Sequence, residues 1–537
     1  MTEPLRAADV LARRLYEAGC RHAFGMPGGE VLTLIDALEA AGITFHLARH
    51  ENAAGFMGEG VHHVDGAPAI LVATVGPGAM NGVNVVANAE QDRVPLIVLT
   101  GCVDAAEAQS YTHQVLDHRK VFAPITKATF TLDAQAAGII AEKAIGIATE
   151  GRSGPVHIDV PISVADAPAQ PAPLRRADAS KVVPAGSDLQ VARSWLSEAT
   201  RPVMIVGLDV IKDRSAETVR AFAEIHGIPV ITTYKAKGVL PEDHPLCLGG
   251  AGLSPLADKH LLPLVDEADL IICVGYDPIE MRPGWQNVWD PMVTNVIDIT
   301  AAPNHHFMHQ GTVNFIANTG ATLAALSEGI PPCATWLGGE VDAVKAALAA
   351  AFPHDDAWGP GAVIAECRAA LPVDTIATVD SGAHRILLSQ MWQCAEPRTL
   401  LQSTGLCTMG CAVPLAIGAK LAAPDRTVVS FSGDAGLLMV AGDLSTAAEN
   451  GQNTIFVVFV DQALALIDLK RRQRKLDNNG VDFRGHDYAA IGRAFGGYGA
   501  TVTTRDELRT ALEAAQTADN FTLIAAVIDK HAYDGRI

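Results

Sequence analysis

The segment from Thr427 to Lys470, TVVSFSGDAGLLMVAGDLSTAAENGQNTIFVVFVDQALALIDLK, predicts a strand, a helix and a second strand in succession. The apolar residues 427–431 and 454–460 are each short enough to form one buried strand, and residues 437–450 between them have helical spacing. This order makes a right-handed βαβ unit with parallel strands. We therefore expect an open parallel sheet in this part of the chain.

An aspartate follows each of the two predicted strands. Asp434 stands in the Gly-Asp-Ala-Gly turn 433–436, and Asp461 directly follows the second strand. If the strands are neighbours, both carboxylates lie roughly 5 Å apart at the carboxyl edge of the sheet, where ligands of such sheets bind. The helix N-terminus offers N–H groups to a phosphate, and two carboxylates beside an anion need a cation such as Mg²⁺. For each aspartate alone, a turn or a strand-end cap is the alternative.

The segment resembles the thiamine-diphosphate signature, in which Gly-Asp-Gly is followed, after a βαβ crossover, by a metal-binding Asn or Asp. Over nearly its whole length the chain resembles the acetolactate synthase group, and Asp461 is closer to the catabolic, flavin-free branch. The resemblance implies thiamine diphosphate and Mg²⁺ as cofactors, with Asp434, Asp461 and the backbone carbonyl of Ala463 as metal ligands. FAD is not expected, because residues 233–236 and 273–278 are more similar to the flavin-free branch.

The same resemblance implies a set of residues that contact the cofactor. Residues 405–411 are similar to the loop that bends the pyrimidine over the thiazolium ring, with Met409 beneath the bend and the Cys407 carbonyl receiving the 4′-amino group. Without the family, a core methionine beside a glycine turn is the alternative. The implied cofactor-binding residues are Gly28, Gly76, Asn81, Ser381, His384, Cys407, Met409, Gly433, Asp434, Ala435, Gly436, Asp461, Leu464 and Ile467.

Four residues are candidates for chemistry. By resemblance, Glu51 is the family's essential glutamate, which hydrogen-bonds the pyrimidine N1′ and so promotes loss of the thiazolium C2 proton; by spacing alone, it is an acid at a helix N-terminus. His113 and Gln114 resemble a His-Gln-x-x-Asp run in which Gln114 faces the thiazolium from the partner subunit. Lys470 replaces a Gln of the catabolic enzymes and could attract an anionic substrate. A solvated basic helix end over residues 470–472 is the alternative.

The 537 residues have room for about three domains. Apolar runs alternate with helical segments, which predicts an α/β fold of doubly wound parallel sheets. The predicted strands include 44–48, 69–74, 94–100, 203–206, 229–232, 270–274 and 295–299. Proline-rich linkers at 166–173 and near 331 separate the parts. With the resemblance, these are a pyrimidine-binding domain at 1–168, a central Rossmann-like domain at 188–330, and a diphosphate- and Mg²⁺-binding domain at 351–537.

Composition narrows the function classes further. The net charge is −20 without a basic block, which argues against nucleic-acid binding. No apolar run approaches the ~20 residues that span a bilayer, and the charged N-terminal pattern does not resemble a signal peptide, so no membrane association is expected. The nine cysteines are scattered, which favours buried thiols in a reducing cytoplasm.

The resemblance implies an enzyme that decarboxylates a 2-oxo acid, pyruvate in the first instance. It would join the remaining fragment to a second carbonyl, giving 2-acetolactate or a related acyloin. A homodimer or homotetramer with the active sites between subunits is also implied. Three alternatives stay open: a thiamine-dependent acyltransferase, a simple 2-oxo acid decarboxylase, and a catalytically silent cofactor-binding paralogue.

Overall fold

The computed structural model describes residues 5–171, 173, 179–279 and 281–537. The first four residues of the predicted first domain, Ala172 of the predicted linker and Glu280 of the predicted central domain lie outside these ranges. The described chain forms three six-stranded sheets flanked by helices, and every strand pairing within them is parallel. The predicted α/β class with doubly wound parallel sheets is confirmed. Within these ranges, no helix is both long and apolar enough to cross a membrane.

The first sheet has the strand order β2-β1-β3-β4-β6-β5. Its strands are β1 (His22–Gly25), β2 (Thr44–Leu47), β3 (Ala69–Ala73), β4 (Leu96–Cys102), β5 (Ala128–Thr131) and β6 (Val156–Pro161). Its helices are α1 (Ala7–Glu17), α2 (Leu32–Ala41), α3 (Glu51–Asp65), α4 (Pro77–Asn81), α5 (Val83–Gln91), α6 (His118–Phe122), α7 (Ala137–Thr149) and α8 (Ile162–Asp166). The central strands are buried on both faces, as expected for apolar runs in a parallel sheet.

The second sheet has the order β12-β11-β10-β7-β8-β9. Its strands are β7 (Pro202–Val206), β8 (Val230–Thr233), β9 (Cys247–Ala251), β10 (Leu270–Val274), β11 (Asn295–Thr300) and β12 (Val313–Ile316). Its helices are α9 (Ser187–Glu198), α10 (Asp209–Lys212), α11 (Ala216–His226), α12 (Pro255–Asp266), α13 (Thr319–Ser327) and α14 (Glu340–Ala351). The order reverses between β7 and β10, which is typical of a Rossmann-like sheet.

The third sheet has the order β14-β13-β15-β16-β18-β17, the same connectivity as the first sheet. Its strands are β13 (Ile376–Val379), β14 (Leu400–Gln402), β15 (Val428–Gly433), β16 (Ile455–Val460), β17 (Tyr498–Val502) and β18 (Thr522–Val527). Its helices are α15 (Pro360–Ala370), α16 (Ala383–Met391), α17 (Ala412–Ala422), α18 (Asp434–Val440), α19 (Leu444–Glu449), α20 (Ala465–Gln473), α21 (Tyr488–Ala494) and α22 (Arg505–Gln516). The first and third sheets therefore share an architecture that their sequences do not reveal by repetition.

The crossover between β15 and β16 contains two short helices, so the single predicted helix over 437–450 is wrong. α18 begins at Asp434, and a 3-10 turn over Ala441–Asp443 separates it from α19. Gly442 lies in this turn, and glycine inside a helix costs about 1 kcal/mol relative to alanine. In the same turn, the Asp443 carboxylate accepts a hydrogen bond of 2.8 Å from the backbone N–H of Arg49. This bond joins the crossover to the first sheet.

The first and third sheets are held together by α3 and α17, whose backbones touch. A Cβ atom on Gly60 would lie 2.2 Å from the carbonyl oxygen of Leu415, and one on Gly418 would lie 1.8 Å from the carbonyl oxygen of Met57. Neither contact leaves room for a side chain. The two glycines therefore set the distance between the helices.

Candidate active site on the third sheet

The two aspartates of the opening segment lie side by side at the carboxyl edge of the third sheet. β15 and β16 are paired neighbours, with Gly433 opposite Phe459, so each aspartate directly follows the end of its strand. The two oxygens of Asp434 accept hydrogen bonds from the N–H groups of Ala435 (2.9 Å) and Gln462 (2.8 Å). The second bond ties the loop after β16 to the carboxylate after β15. The predicted adjacency of the strands is confirmed.

Burial makes this carboxylate pair electrostatically unfavourable without a counter-charge. Burial and the neighbouring Asp434 carboxylate raise the pKa of Asp461 to about 7. Burial also raises the pKa of Asp434, although the hydrogen bonds from Gln462 and Ala435 oppose that shift. Two oxygen donors that repel each other attract a hard divalent cation, which would remove the repulsion.

A cavity of ≈ 270 Å³ opens beside the pair and collects most of the predicted third-sheet residues. Its walls come from the loop after β13, the 405–411 loop, the turn after β15 and the start of α20. The predicted residues that line it are Ser381, His384, Cys407, Met409, Gly433, Asp434, Ala435, Gly436, Asp461, Ala463, Leu464 and Ile467. The metal-ligand candidates and the cofactor-binding candidates of this sheet therefore line the same cavity.

Three polar atoms of the cavity lining are buried and have no hydrogen-bond partner among the described residues. They are the Ser381 Oγ, the His384 Nε2 and the Tyr533 hydroxyl. Burial, together with the Arg385 charge, lowers the pKa of His384 to about 3, so its imidazole is neutral. Buried polar groups normally have partners, which makes these three atoms candidates for binding a polar ligand. Tyr533 was not predicted, because nothing in the local sequence connects it to the aspartates.

The 405–411 loop is held in place by side chains from neighbouring elements. Asp380, which is fully buried at the end of β13, accepts hydrogen bonds from the N–H groups of Gly410 (2.9 Å) and Cys411 (3.1 Å). Burial raises the pKa of Asp380 to about 6. Cys407 has a φ of 54°, which is uncommon for a residue with a side chain, so its carbonyl direction is set by this unusual backbone. Asp380 was missed as a site residue, although its place after an apolar strand was a signal.

The predicted residues of the first sheet form a second group around Glu51. Glu51 is the first residue of α3 and is 4% exposed. Its Oε2 accepts a hydrogen bond of 2.9 Å from the Asn81 side-chain amide. A Cβ on Gly78 would lie 3.0 Å from the Glu51 Oε1, and one on Gly28 would lie 2.2 Å from the Thr74 Oγ1. Gly78 thus lets its loop approach the Glu51 carboxylate, and Gly28 lets its loop approach Thr74.

Gly76 and Gln114 also meet at this sheet. A Cβ on Gly76 would lie 2.8 Å from the Gln114 carbonyl oxygen, and both residues have positive φ angles, 67° and 60°. Gln114 is exposed, and so is His113, whose ring packs on Tyr111 at 6.2 Å. No described residue of the first sheet lines the third-sheet cavity. One chain therefore holds two separate groups of candidate residues.

Comparison with known families gives three matches that follow the three sheets. Residues 5–121 match the model "Thiamine pyrophosphate enzyme, N-terminal TPP binding domain", 189–326 the central domain, and 380–526 the C-terminal TPP binding domain. The chain belongs to the thiamine pyrophosphate enzymes. It is 34% identical to the acetolactate synthase isozyme 1 large subunit of Escherichia coli K12, over 86% of this chain and 82% of that protein.

Two other relatives of this thiamine pyrophosphate enzyme cover almost its whole length. It is 29% identical to an acetolactate synthase of Bacillus subtilis, over 98% of this chain and 93% of the relative. It is 30% identical to a Pseudomonas aeruginosa protein named "Probable 2-ketoarginine decarboxylase AruI", over 97% and 93%. The enzyme is thus a thiamine-diphosphate-dependent member of the acetolactate synthase group, and relatives named for different activities resemble it to a similar degree.

In this thiamine pyrophosphate enzyme, Lys470 lies outside the third-sheet cavity, in an adjoining one of ≈ 480 Å³. The two cavities share Ser381, Gly382, Cys407 and Leu466 in their walls. Lys470 is exposed on α20, and Arg282 of the central part of the chain stands in the same cavity. Arg282 is paired with Asp258, at 2.6 Å, so its charge is already partly balanced.

The alternative interpretation of residues 470–472 as one solvated basic helix end is wrong for two of them. Arg471 and Arg472 form ion pairs of 2.7 and 2.6 Å with Asp468, which is fully buried. Arg472 also pairs with Asp534. The spacings i, i+3 and i, i+4 put all three side chains on one helix face. The two arginines neutralise a buried carboxylate, while Lys470 points to the adjoining cavity.

Proposed function

We propose that this thiamine-dependent enzyme binds Mg²⁺ through Asp434, Asp461 and the Ala463 carbonyl and decarboxylates pyruvate. The remaining two-carbon fragment would add to the carbonyl of a second pyruvate, so that two pyruvate molecules give one 2-acetolactate and one CO₂. The observation that carries the proposal is the buried carboxylate pair at adjacent strand ends, in one cavity with the other predicted cofactor residues.

The residues of the cavity fit a diphosphate held by a divalent cation. Mg²⁺ prefers oxygen ligands and keeps free positions for phosphate oxygens and waters, which two carboxylates and one carbonyl would leave. The Ser381 Oγ, the Nε2 of the neutral His384 ring and the Tyr533 hydroxyl have no hydrogen-bond partner in the described part of the chain and could donate hydrogen bonds to phosphate oxygens. When bound, thiamine diphosphate supplies the electron sink for decarboxylation, and the protein supplies position and charge.

Glu51 is the residue that would handle the proton at the pyrimidine N1′. Its carboxylate is buried, and the Asn81 amide holds one oxygen at 2.9 Å, which leaves the other oxygen for the ligand. Because Gly78 has no side chain, the space beside the Glu51 Oε1 stays open, so the flat pyrimidine ring of the cofactor can approach this oxygen. Gln114, next to Gly76, would face the reacting end of the cofactor, with His113 beside it.

Glu51 and the aspartate pair belong to different sheets, and the third-sheet cavity has no described first-sheet residue in its wall. We infer that a second copy of the chain brings its Glu51 group to this cavity. The minimal active unit would then be a homodimer, and a tetramer would be a pair of such dimers. Sedimentation and cofactor titration of the same sample test this, because each dimer should bind two cofactor molecules.

The position of Lys470 favours an anionic substrate over a cationic one. Its exposed ammonium group lines the cavity next to the cofactor cavity, where the carboxylate of an oxo acid would be attracted. The relative named as a 2-ketoarginine decarboxylase raises a second candidate, the decarboxylation of a guanidino oxo acid without carboligation. A positive side chain at 470 disfavours that candidate, since the guanidinium group would be repelled.

Supplying 2-oxo acids singly and in pairs, with mass spectrometry of the products and measurement of CO₂, separates the candidates. We expect 2-acetolactate and CO₂ from pyruvate, with loss of both after EDTA treatment and recovery with Mg²⁺. CO₂ with a free aldehyde would identify a simple decarboxylase, and turnover of 2-ketoarginine alone would favour the second candidate. An acyloin formed from pyruvate and a supplied aldehyde, with release of CO₂ and in place of 2-acetolactate, would indicate transfer of the two-carbon fragment to another acceptor. No CO₂ from any oxo acid would contradict the proposal.

A further inference from the structure

A buried aspartate–histidine pair is hydrogen-bonded to the backbone of the turn at Gly76. Asp159 of β6 is 7% exposed, and His118, the first residue of α6, is 1% exposed. The Asp159 Oδ1 lies 2.8 Å from the His118 Nδ1, and the His118 Nε2 accepts a hydrogen bond of 3.1 Å from the Gly76 backbone N–H. These three residues come from separate parts of the first sheet, so their contact could not be predicted from local sequence.

The hydrogen bonds determine the tautomer of His118. Because the Gly76 N–H is a donor, the Nε2 of His118 must be unprotonated, and the ring proton of the neutral form is then on Nδ1, facing Asp159. Thr100 completes the arrangement, since its Oγ1 lies 2.7 Å from the Asp159 Oδ1. Asp159 thus orients the ring and keeps the Nε2 lone pair directed at Gly76.

The supported turn is unusual and lies next to the proposed chemistry. Gly76 has φ 67° and ψ −106°, a conformation that few residues adopt, so its buried N–H needs a fixed acceptor. Its Cα faces the Gln114 carbonyl, and Gly78, two residues on, faces the Glu51 Oε1. A change in the turn would therefore move both neighbours.

We propose that Asp159 and His118 are positioning residues, which hold the Gly76 turn so that Glu51 and Gln114 keep their places. This inference rests on the roles that the proposed function gives to Glu51 and Gln114. His118, His157 and Asp159 also present ligand atoms within 4.8 Å of one another, the spacing of a metal site. We favour hydrogen bonding over a metal, because Thr100 lies 2.7 Å from both the His157 Nε2 and the Asp159 Oδ1 and so occupies the space between them.

The first test reads the histidine directly in the purified protein. In ¹⁵N-histidine-labelled protein, the resonance that disappears in His118→Gln should show a protonated Nδ1 and an unprotonated Nε2 at neutral pH. A signal with the proton on Nε2, or a stoichiometric metal that is absent from His118→Gln and Asp159→Leu, would overturn the inference. This readout needs no substrate, so its failure is distinct from failure of the proposed function.

The second test uses C2–H exchange of bound thiamine diphosphate, measured by NMR. His118→Phe leaves the Gly76 N–H without an acceptor, and we expect exchange to slow about five- to hundredfold with cofactor affinity changed much less. His118→Gln and Asp159→Asn keep an acceptor oxygen and should restore most of the rate. His226→Phe is the matched control. His226 is also buried, and its Nε2 lies 2.8 Å from the Ser327 hydroxyl, in the second-sheet part of the chain and not at the site. Equal exchange in wild type, His118→Phe and Asp159→Leu would refute the positioning role.

Discussion

Replacing Asp461 by Asn should stabilise the metal-free protein at alkaline pH and weaken its response to cofactor. The pKa of Asp461 is raised from its ordinary 3.8 to about 7 by burial and by Asp434. A raised carboxyl pKa means that the folded protein binds the proton more tightly than the unfolded chain does. The free energy of unfolding therefore falls as pH rises from about 4 to about 7, and stays low above that.

The magnitude follows from the size of the shift. Three pKa units at about 1.36 kcal/mol each give an upper value of about 4 kcal/mol. Local relaxation around Asp434 and Asp461 makes the actual free-energy difference smaller than this upper value. We therefore expect Asp461→Asn to be more stable than wild type by about 2–4 kcal/mol at pH 8. At pH 4 the two proteins should differ little, because Asp461 is then protonated and resembles an amide.

Native-state hydrogen exchange of β16 amides, in protein dialysed against EDTA, measures this free energy locally at both pH values. Asp298→Asn is the control: Asp298 is a buried carboxylate of the second sheet whose pKa is raised to about 6 by burial, so its variant should gain less stability at pH 8, and the cofactor should stabilise it as much as it stabilises wild type. Addition of Mg²⁺ and thiamine diphosphate should stabilise wild type more than Asp461→Asn. Equal stability of the two at pH 8 would refute the electrostatic account, and equal stabilisation by the cofactor would remove Asp461 from the metal site.

Three further substitutions test the proposed roles. Asp434→Ala should abolish cofactor retention, because the diphosphate would lose its bridging cation; stoichiometric cofactor after gel filtration would argue against this role. Glu51→Gln should retain the cofactor but slow C2–H exchange by orders of magnitude, since an amide cannot transfer a proton to N1′, and unchanged exchange by NMR would exclude Glu51 from activation. Lys470→Gln should raise KM for an anionic oxo acid about tenfold and leave KM for a neutral acceptor and the melting temperature unchanged; identical kinetics across both substrate types would make Lys470 a surface residue.

The strands of this fold could be predicted well because they are continuous apolar runs buried in parallel sheets. The run at 270–274 is β10 with the same limits, and those at 295–299 and 454–460 differ from β11 and β16 by one residue. Residues that end such strands meet at one edge, so the pairing of Asp434 with Asp461 followed from the order of the elements.

The parts that escaped prediction depend on contacts between distant residues. The break between α18 and α19 is accompanied by the bond from the Arg49 backbone to Asp443, across 394 positions of sequence. Tyr533 reaches the third-sheet cavity from residues far along the sequence, and His118 reaches Gly76 from another element. The pairing of Arg471 and Arg472 with Asp468 is different, because the i, i+3 and i, i+4 spacing was visible in the sequence.

The backbone contact between α3 and α17 has a consequence for how remote substitutions should behave. A helix transmits an axial shift almost undiminished along its length, and Gly60 lies nine residues from Glu51, about 14 Å at 1.5 Å per residue. A methyl group at Gly60 would meet the Leu415 carbonyl at 2.2 Å, so α3 would have to slide or tilt. The Gly60–Leu415 contact therefore sets the position of Glu51 at the other end of α3. Gly60→Ala should alter C2–H exchange of the bound cofactor, although Gly60 itself lies about 14 Å from Glu51.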